Sequence, residues 1–139
     1  MVESTQVVCA VILREDKRIL ICQRASGKSL AGLWEFPGGK IERGERARSA
    51  LERELKEELQ ITVAIEHEMQ TVRWVDGSRS FCLRPFWCRW LGGDIVLSVH
   101  SQMAWCLPQE LSRYQLAPAD QPICKDILDS PTSRLLCDF

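Results

Sequence analysis

No apolar run in this chain is long enough to cross a bilayer, so no membrane-spanning role is expected. Neither sign of charge is in surplus: 18 Lys and Arg stand against 19 Asp and Glu, a formal net charge of -1. Without a basic excess, nothing drives general affinity for nucleic-acid polymers or membrane surfaces, and neither is expected as a partner. The first residues, MVESTQVVCAVIL, carry an acid and no basic stretch, so they do not read as a secretory signal. The seven cysteines (Cys9, Cys22, Cys82, Cys88, Cys106, Cys124 and Cys137) include no CxxC pair and no metal-ligand spacing. Most lie in apolar runs, which fits buried free thiols in a reducing cytoplasm. Repeats, linkers and low-complexity segments are missing too. What remains is 139 residues, 45% hydrophobic and 27% charged. That suits one soluble domain, 1–139, as a monomer or homodimer.

The order of elements is mixed. QVVCAVILR (6–14) is β-branched and apolar, and RILICQR (18–24) alternates, so the two are expected as a strand hairpin. WEF (34–36) is a short extended piece stopped by Pro37, and Gly38 and Gly39 follow. Residues 45–61 hold no Gly or Pro and predict a helix. ITVAIEHEMQTVRWV (61–75) and RSFCLRPFWCRWL (79–91), joined by DGS, predict a long hairpin. MAWCL (103–107) predicts a late strand, and LAPADQPICKDILD (116–129) a closing helix with Pro122 in its first turn. The fold class is therefore α/β, a mixed sheet sandwiched between helices.

The central helix points acids inward. At about 100° per residue, Ala47, Ala50, Leu51 and Leu55 share one face. Glu54 and Glu58 fall within that arc and Glu57 at its edge. An unpaired charge turned to a protein interior costs several kcal/mol or more. Carboxylates beside a Gly-Gly turn form a site for a hard divalent cation, Mg²⁺ or Mn²⁺, which also holds phosphates. The plain alternative is a solvated acidic helix laced by pairs such as Glu52 with Lys56.

The spacing around these acids resembles the Nudix box, G-x5-E-x7-R-E-U-x-E-E-x-G-U with U aliphatic. The chain supplies Gly39, Glu45, Arg53, Glu54, Leu55, Glu57, Glu58 and Ile61, and departs only at Gln60, where the box has glycine. CQRASGKSLAGLWEFPGGKIE and LAPADQP extend the resemblance to the MutT-like branch, closest to its CTP pyrophosphohydrolase and 8-oxo-dGTP diphosphatase members. The resemblance implies a metal-dependent enzyme that cleaves nucleoside triphosphates to monophosphate and pyrophosphate, with water attacking the β-phosphorus. It implies Glu54, Glu57, Glu58 and the Gly38 carbonyl as metal ligands, Glu54 also as base, and Arg53 as the residue orienting them. Glu45 matches a supporting position, though a first-turn acid is favoured there in any case.

The same resemblance places Arg24 on a phosphate, with Gly39 and Lys40 beside the substrate, although a plain surface arginine is the alternative for Arg24. Arg79 matches a base-stacking residue or is a solvated turn arginine, and Phe36 packs under the base or fills the core. Asp120 falls where the branch reads the base; an aspartate accepts from the cytosine amine or caps the closing helix. Val99 stands where a loop glutamate is usual, with His100 beside it as a replacement ligand or an uninvolved loop histidine. Hydrolysis of ADP-ribose or a dinucleoside polyphosphate is the alternative activity, and a non-catalytic nucleotide-binding domain the alternative of another class.

Overall fold

A run of β-branched and apolar residues folds as β1 (Thr5–Leu13), followed by β2 (Ile19–Arg24). The computed structural model describes residues 4–129, without the side chain of residue 76; Cys137 lies outside them. The chain continues through β3 (Trp34–Glu35), β4 (Gly38–Lys40), α1 (Ala47–Leu59), β5 (Thr62–Glu68), β6 (Val72–Asp76), β7 (Arg79–Gly92) and β8 (His100–Cys106). Two 3₁₀ turns, Pro108–Arg113 and Pro118–Asp120, lead into α2 (Gln121–Asp129).

The sheet runs β3-β2-β1-β7-β5, with β4 on β1, β6 on β7 and β8 on β2. The β1–β7 pair is parallel and its other pairs are antiparallel, so the sheet is mixed as expected. Alternation along β1 divides the interior in two. Val8, Ala10 and Ile12 pack with Leu51, Leu55 and Leu59 of α1. Cys9, Val11 and Leu13 pack with Ile123 and Ile127 of α2. Helices therefore cover both faces. Among the described residues, no helix is long and apolar enough to cross a membrane.

The sheet splits where the site lies. β1 and β2 meet only at Leu13 and Ile19, then separate. β1 turns to β4, with Val8 opposite Gly39 and Cys9 opposite Gly38, while β2 pairs with β3 through Cys22 and Glu35. The WEFPGGK stretch crosses from one branch to the other at Pro37, whose carbonyl accepts the Ala10 N–H.

Several boundaries differ from the sequence reading. The helix spans Ala47–Leu59, not 45–61, because Arg46 is still extended and Gln60 turns left-handed at φ 59°. The arm expected over 61–75 is two strands. The break faces Pro85 of β7, which has no N–H for the ladder, and the Pro85 carbonyl takes the Met69 N–H between the two strands. The late strand begins at His100, three residues early. The closing helix starts at Gln121; residues 116–120 form a bridge from Leu116 to Trp34 and a 3₁₀ turn.

Candidate active site

α1 turns its apolar stripe, Ala50, Leu51, Leu55 and Leu59, to the sheet. Glu54 lies next to that stripe with a side chain only 14% exposed, against β4. Glycine keeps the strand clear at both positions, for different reasons. A methyl group on Gly39 would strike the Glu54 carboxylate, and one on Gly38 would strike the backbone of Val8 and Cys9. The strand is thus bare where the carboxylate reaches it.

Arg53 organises the acids around it. Its Nε donates to Glu45 Oε2 at 2.8 Å, its Nη1 to Glu54 Oε1 at 3.0 Å and to Glu57 Oε2 at 3.3 Å, and its Nη2 to Glu45 Oε1 and the Lys40 carbonyl. The paired hydrogen bonds from Arg53 hold Glu45 at about 2, and Glu45 in turn accepts the Glu42 N–H. Glu58 has no cationic partner among the described residues; its side-chain hydrogen bond is to another acid, Glu54. The Glu58 Oε2 is buried without a hydrogen bond. Burial first, then the charge of Glu54, pushes its carboxyl up to about 8. Glu57 is 60% exposed and rests on Arg53. Among the described residues, no three His, Cys, Asp or Glu side chains are already gathered about one point. The donor set nonetheless suits a hard cation: two inward carboxylates that repel, one with an orphaned oxygen, beside a strand without side chains. The end of α1 is tied down nearby, because Ser98 Oγ donates to the Glu58 carbonyl at 2.9 Å and the Val96 N–H to the Leu59 carbonyl. That bond places Val99, 38% exposed, beside the end of the acidic helix.

The second part of the site centres on Glu35, which the sequence reading did not single out. Arg24 Nη1 donates to Glu35 Oε1 at 2.6 Å, and His100 Nε2 lies 3.0 Å from Glu35 Oε2. Burial raises the Glu35 carboxyl, but hydrogen bonds from His100 and Arg24 outweigh it, and the net shift is downward. The charge of Glu35 acts on Glu58 and on Asp120, so it links the acidic helix to the opposite wall. A two-residue strand before a proline has no periodicity to read, which is why this acid gave no signal. His100 is not a loop residue; it opens β8 and is buried.

Asp120 is 7% exposed, and its Oδ2 accepts the Phe36 N–H at 2.8 Å. Its hydrogen bond thus joins the 3₁₀ turn to the WEF strand, not to the first turn of α2. Burial raises its carboxyl to about 7, with the Phe36 bond opposing and the Glu35 charge reinforcing. The Phe36 side chain is buried in the core beneath α2. Lys40 is exposed at the end of β4, and Arg79 is exposed at the tip of the β6–β7 hairpin.

A family model described as NUDIX domain matches residues 3–127. The chain belongs to the Nudix family. It is 41% identical over 128 residues to the CTP pyrophosphohydrolase of Escherichia coli strain K12, covering 91% of this chain and 94% of that protein. It is 34% identical over 125 residues to a putative 8-oxo-dGTP diphosphatase 2 of Mycobacterium tuberculosis, covering 88% and 87%. Among solved structures, the solution structure of the E. coli ORF135 protein superposes with a TM-score of 0.85 at 35% identity, over 96% of this chain and 94% of that one. The chain is thus a Nudix hydrolase of the MutT-like kind, and the acid-bearing helix α1 carries the central part of its Nudix box. In this Nudix chain the box glycine is replaced by Gln60, which still takes the left-handed turn that the glycine would favour, its N–H bonded to the Lys56 carbonyl.

Proposed function

We propose that the chain is a cytoplasmic, Mg²⁺- or Mn²⁺-dependent pyrophosphohydrolase that cleaves nucleoside triphosphates, CTP and modified or oxidised deoxynucleotides among them, to monophosphate and pyrophosphate. The observation that carries this reading is the inward Glu54–Glu58 pair with the unpartnered Glu58 oxygen, set against Gly38 and Gly39. Glu54, Glu57, Glu58 and the Gly38 carbonyl would hold the cation. Bound there, a divalent ion supplies positive charge that offsets the phosphates and makes phosphorus more open to attack.

The chain's own residues supply the rest. Arg53 takes Glu54 Oε1 and leaves Oε2 to accept a proton from the attacking water. Glu45, paired twice with Arg53, keeps that guanidinium from turning away. Arg24 and Lys40 bring positive charge for the phosphates. Asp120 reads the base: protonated it donates, ionised it accepts, so a value near neutrality suits more than one base edge. Arg79 would stack on the base from the hairpin tip. The free thiols among the described residues suit a reducing compartment.

The test is a panel of nucleotides incubated with Mg²⁺ and scored for pyrophosphate against orthophosphate. Release of pyrophosphate from CTP or oxidised dGTP, abolished by a chelator, is the expected result. Orthophosphate as the first product, or turnover in excess chelator, rejects the proposal.

A further inference from the structure

Residues directly opposite one another across a β-ladder share a face of the sheet, and so do alternate residues of one strand. Cys22 lies opposite Glu35, and Arg24, two residues on, lies opposite His100. The four share the face on which Cys22 packs with α1. This arrangement depends on a fault in the ladder. Gln23 pairs with Gln102, but Arg24 pairs with His100, so Ser101 is skipped. In an unbroken register the exposed Ser101 would stand opposite Arg24. Such bulges re-aim a side chain beside a site. Here the bulge puts a buried imidazole against Glu35.

The carboxylate of Glu35 is then held at both oxygens, by Arg24 Nη1 at 2.6 Å and by His100 Nε2 at 3.0 Å. Arg24 is fixed at its other nitrogens too, Nε to the Ser29 carbonyl at 2.7 Å and Nη2 to Ser29 Oγ at 3.3 Å. Three of its five N–H groups are engaged and two remain for a ligand. His100 Nδ1 is buried with no partner. The ring is therefore tied to the protein only through Nε2.

We infer that His100 is a positioning residue: through Nε2 it fixes the Glu35 carboxylate, and through Glu35 it holds the Arg24 guanidinium at the angle that meets the substrate's phosphates. This rests on the phosphate role proposed above for Arg24. His100 touches neither substrate nor cation. Its effect is on how well the phosphates are gripped, whatever base they carry.

The test compares His100→Gln, His100→Asn and His100→Leu, using CTP and dGTP with Mg²⁺. A Gln amide reaches where Nε2 stands; an Asn amide reaches only where Nδ1 stands. Gln is expected to keep KM within about twofold of the parent. Asn and Leu are expected to raise it on the order of tenfold, the low end of what an unpaired buried group costs, with kcat changed less. The CTP-to-dGTP ratio of kcat/KM should not move in any of them. In an Arg24→Ala background, His100→Leu should add no further rise, since residues acting through one another are not additive. Equal KM values for Gln and Asn, a shifted base ratio, or full additivity with Arg24→Ala each overturn the inference. The Asn and Gln pair decides it even where Leu fails to fold. Arg24→Ala alone shows which link broke: an unchanged KM removes the phosphate role of Arg24, whereas a raised KM with a silent His100→Asn removes only the role of His100.

Discussion

A lysine in place of Arg53 would keep the charge and lose the fork. The guanidinium spans Glu45, Glu54, Glu57 and the Lys40 carbonyl at once, and a single ammonium cannot. Arg53→Lys is expected to lower turnover roughly 10–100-fold, as loss of a ligand-orienting partner does at metal sites, with a change of melting temperature too small to account for it. Unchanged kcat would mean that Glu54 is oriented by something else. Asp120→Asn tests the other wall. Asn keeps an oxygen for the Phe36 N–H but fixes a donor beside it. The CTP to oxidised-dGTP ratio of kcat/KM is expected to change by about 1–3 kcal/mol, and its pH dependence near 7 to flatten. A ratio that stays put at every pH would return Asp120 to a structural role.

Strand β4 is three residues long and two are glycines, with different neighbours. At Gly38 the obstacle is backbone, at Gly39 a side chain. Gly38→Ala is expected to part β4 from β1 and lower the melting temperature markedly. Gly39→Ala should be milder on the fold and severe on hydrolysis, because it moves Glu54. Equal losses of stability in the two would contradict the geometry. At the far end of α1, Gln60→Gly should stabilise the protein by about 1 kcal/mol, the strain of a left-handed non-glycine residue, as read by thermal melts. The α1 acids were legible in the sequence because helical spacing converts directly into a face. The pairing of WEF with β2, the register slip at Ser101 and the burial of His100 were not. Each depends on contacts between strands far apart in the chain, and a two-residue strand carries no period of its own.

At the scale of the molecule, two carboxylic acids among the described residues hold protons more tightly folded than unfolded. Burial lifts Glu58 from 4.5 to about 8 and Asp120 from 3.8 to about 7. A raised acid favours the folded state while protonated, so stability of the metal-free protein should fall as pH rises from about 4.5 to about 8. A cation competes with the Glu58 proton, so Mg²⁺ should raise the melting temperature more at pH 8 than at pH 6 and release protons on binding. Melts in Mg²⁺ and in chelator at both pH values check this, and a larger gain at pH 6 would refute it. The parallel pairing of β1 with β7 has a different sort of consequence. Thr5 and Leu13 wait for Phe81 and Arg89. At ~5–20 residues per second, a ribosome takes roughly 4–15 s to make what lies between. Over that interval β1, whose last six residues are all buried in the fold, has no partner on that side. Nascent chains arrested before Arg89 should therefore remain open to protease and to chaperones, however complete their Nudix box.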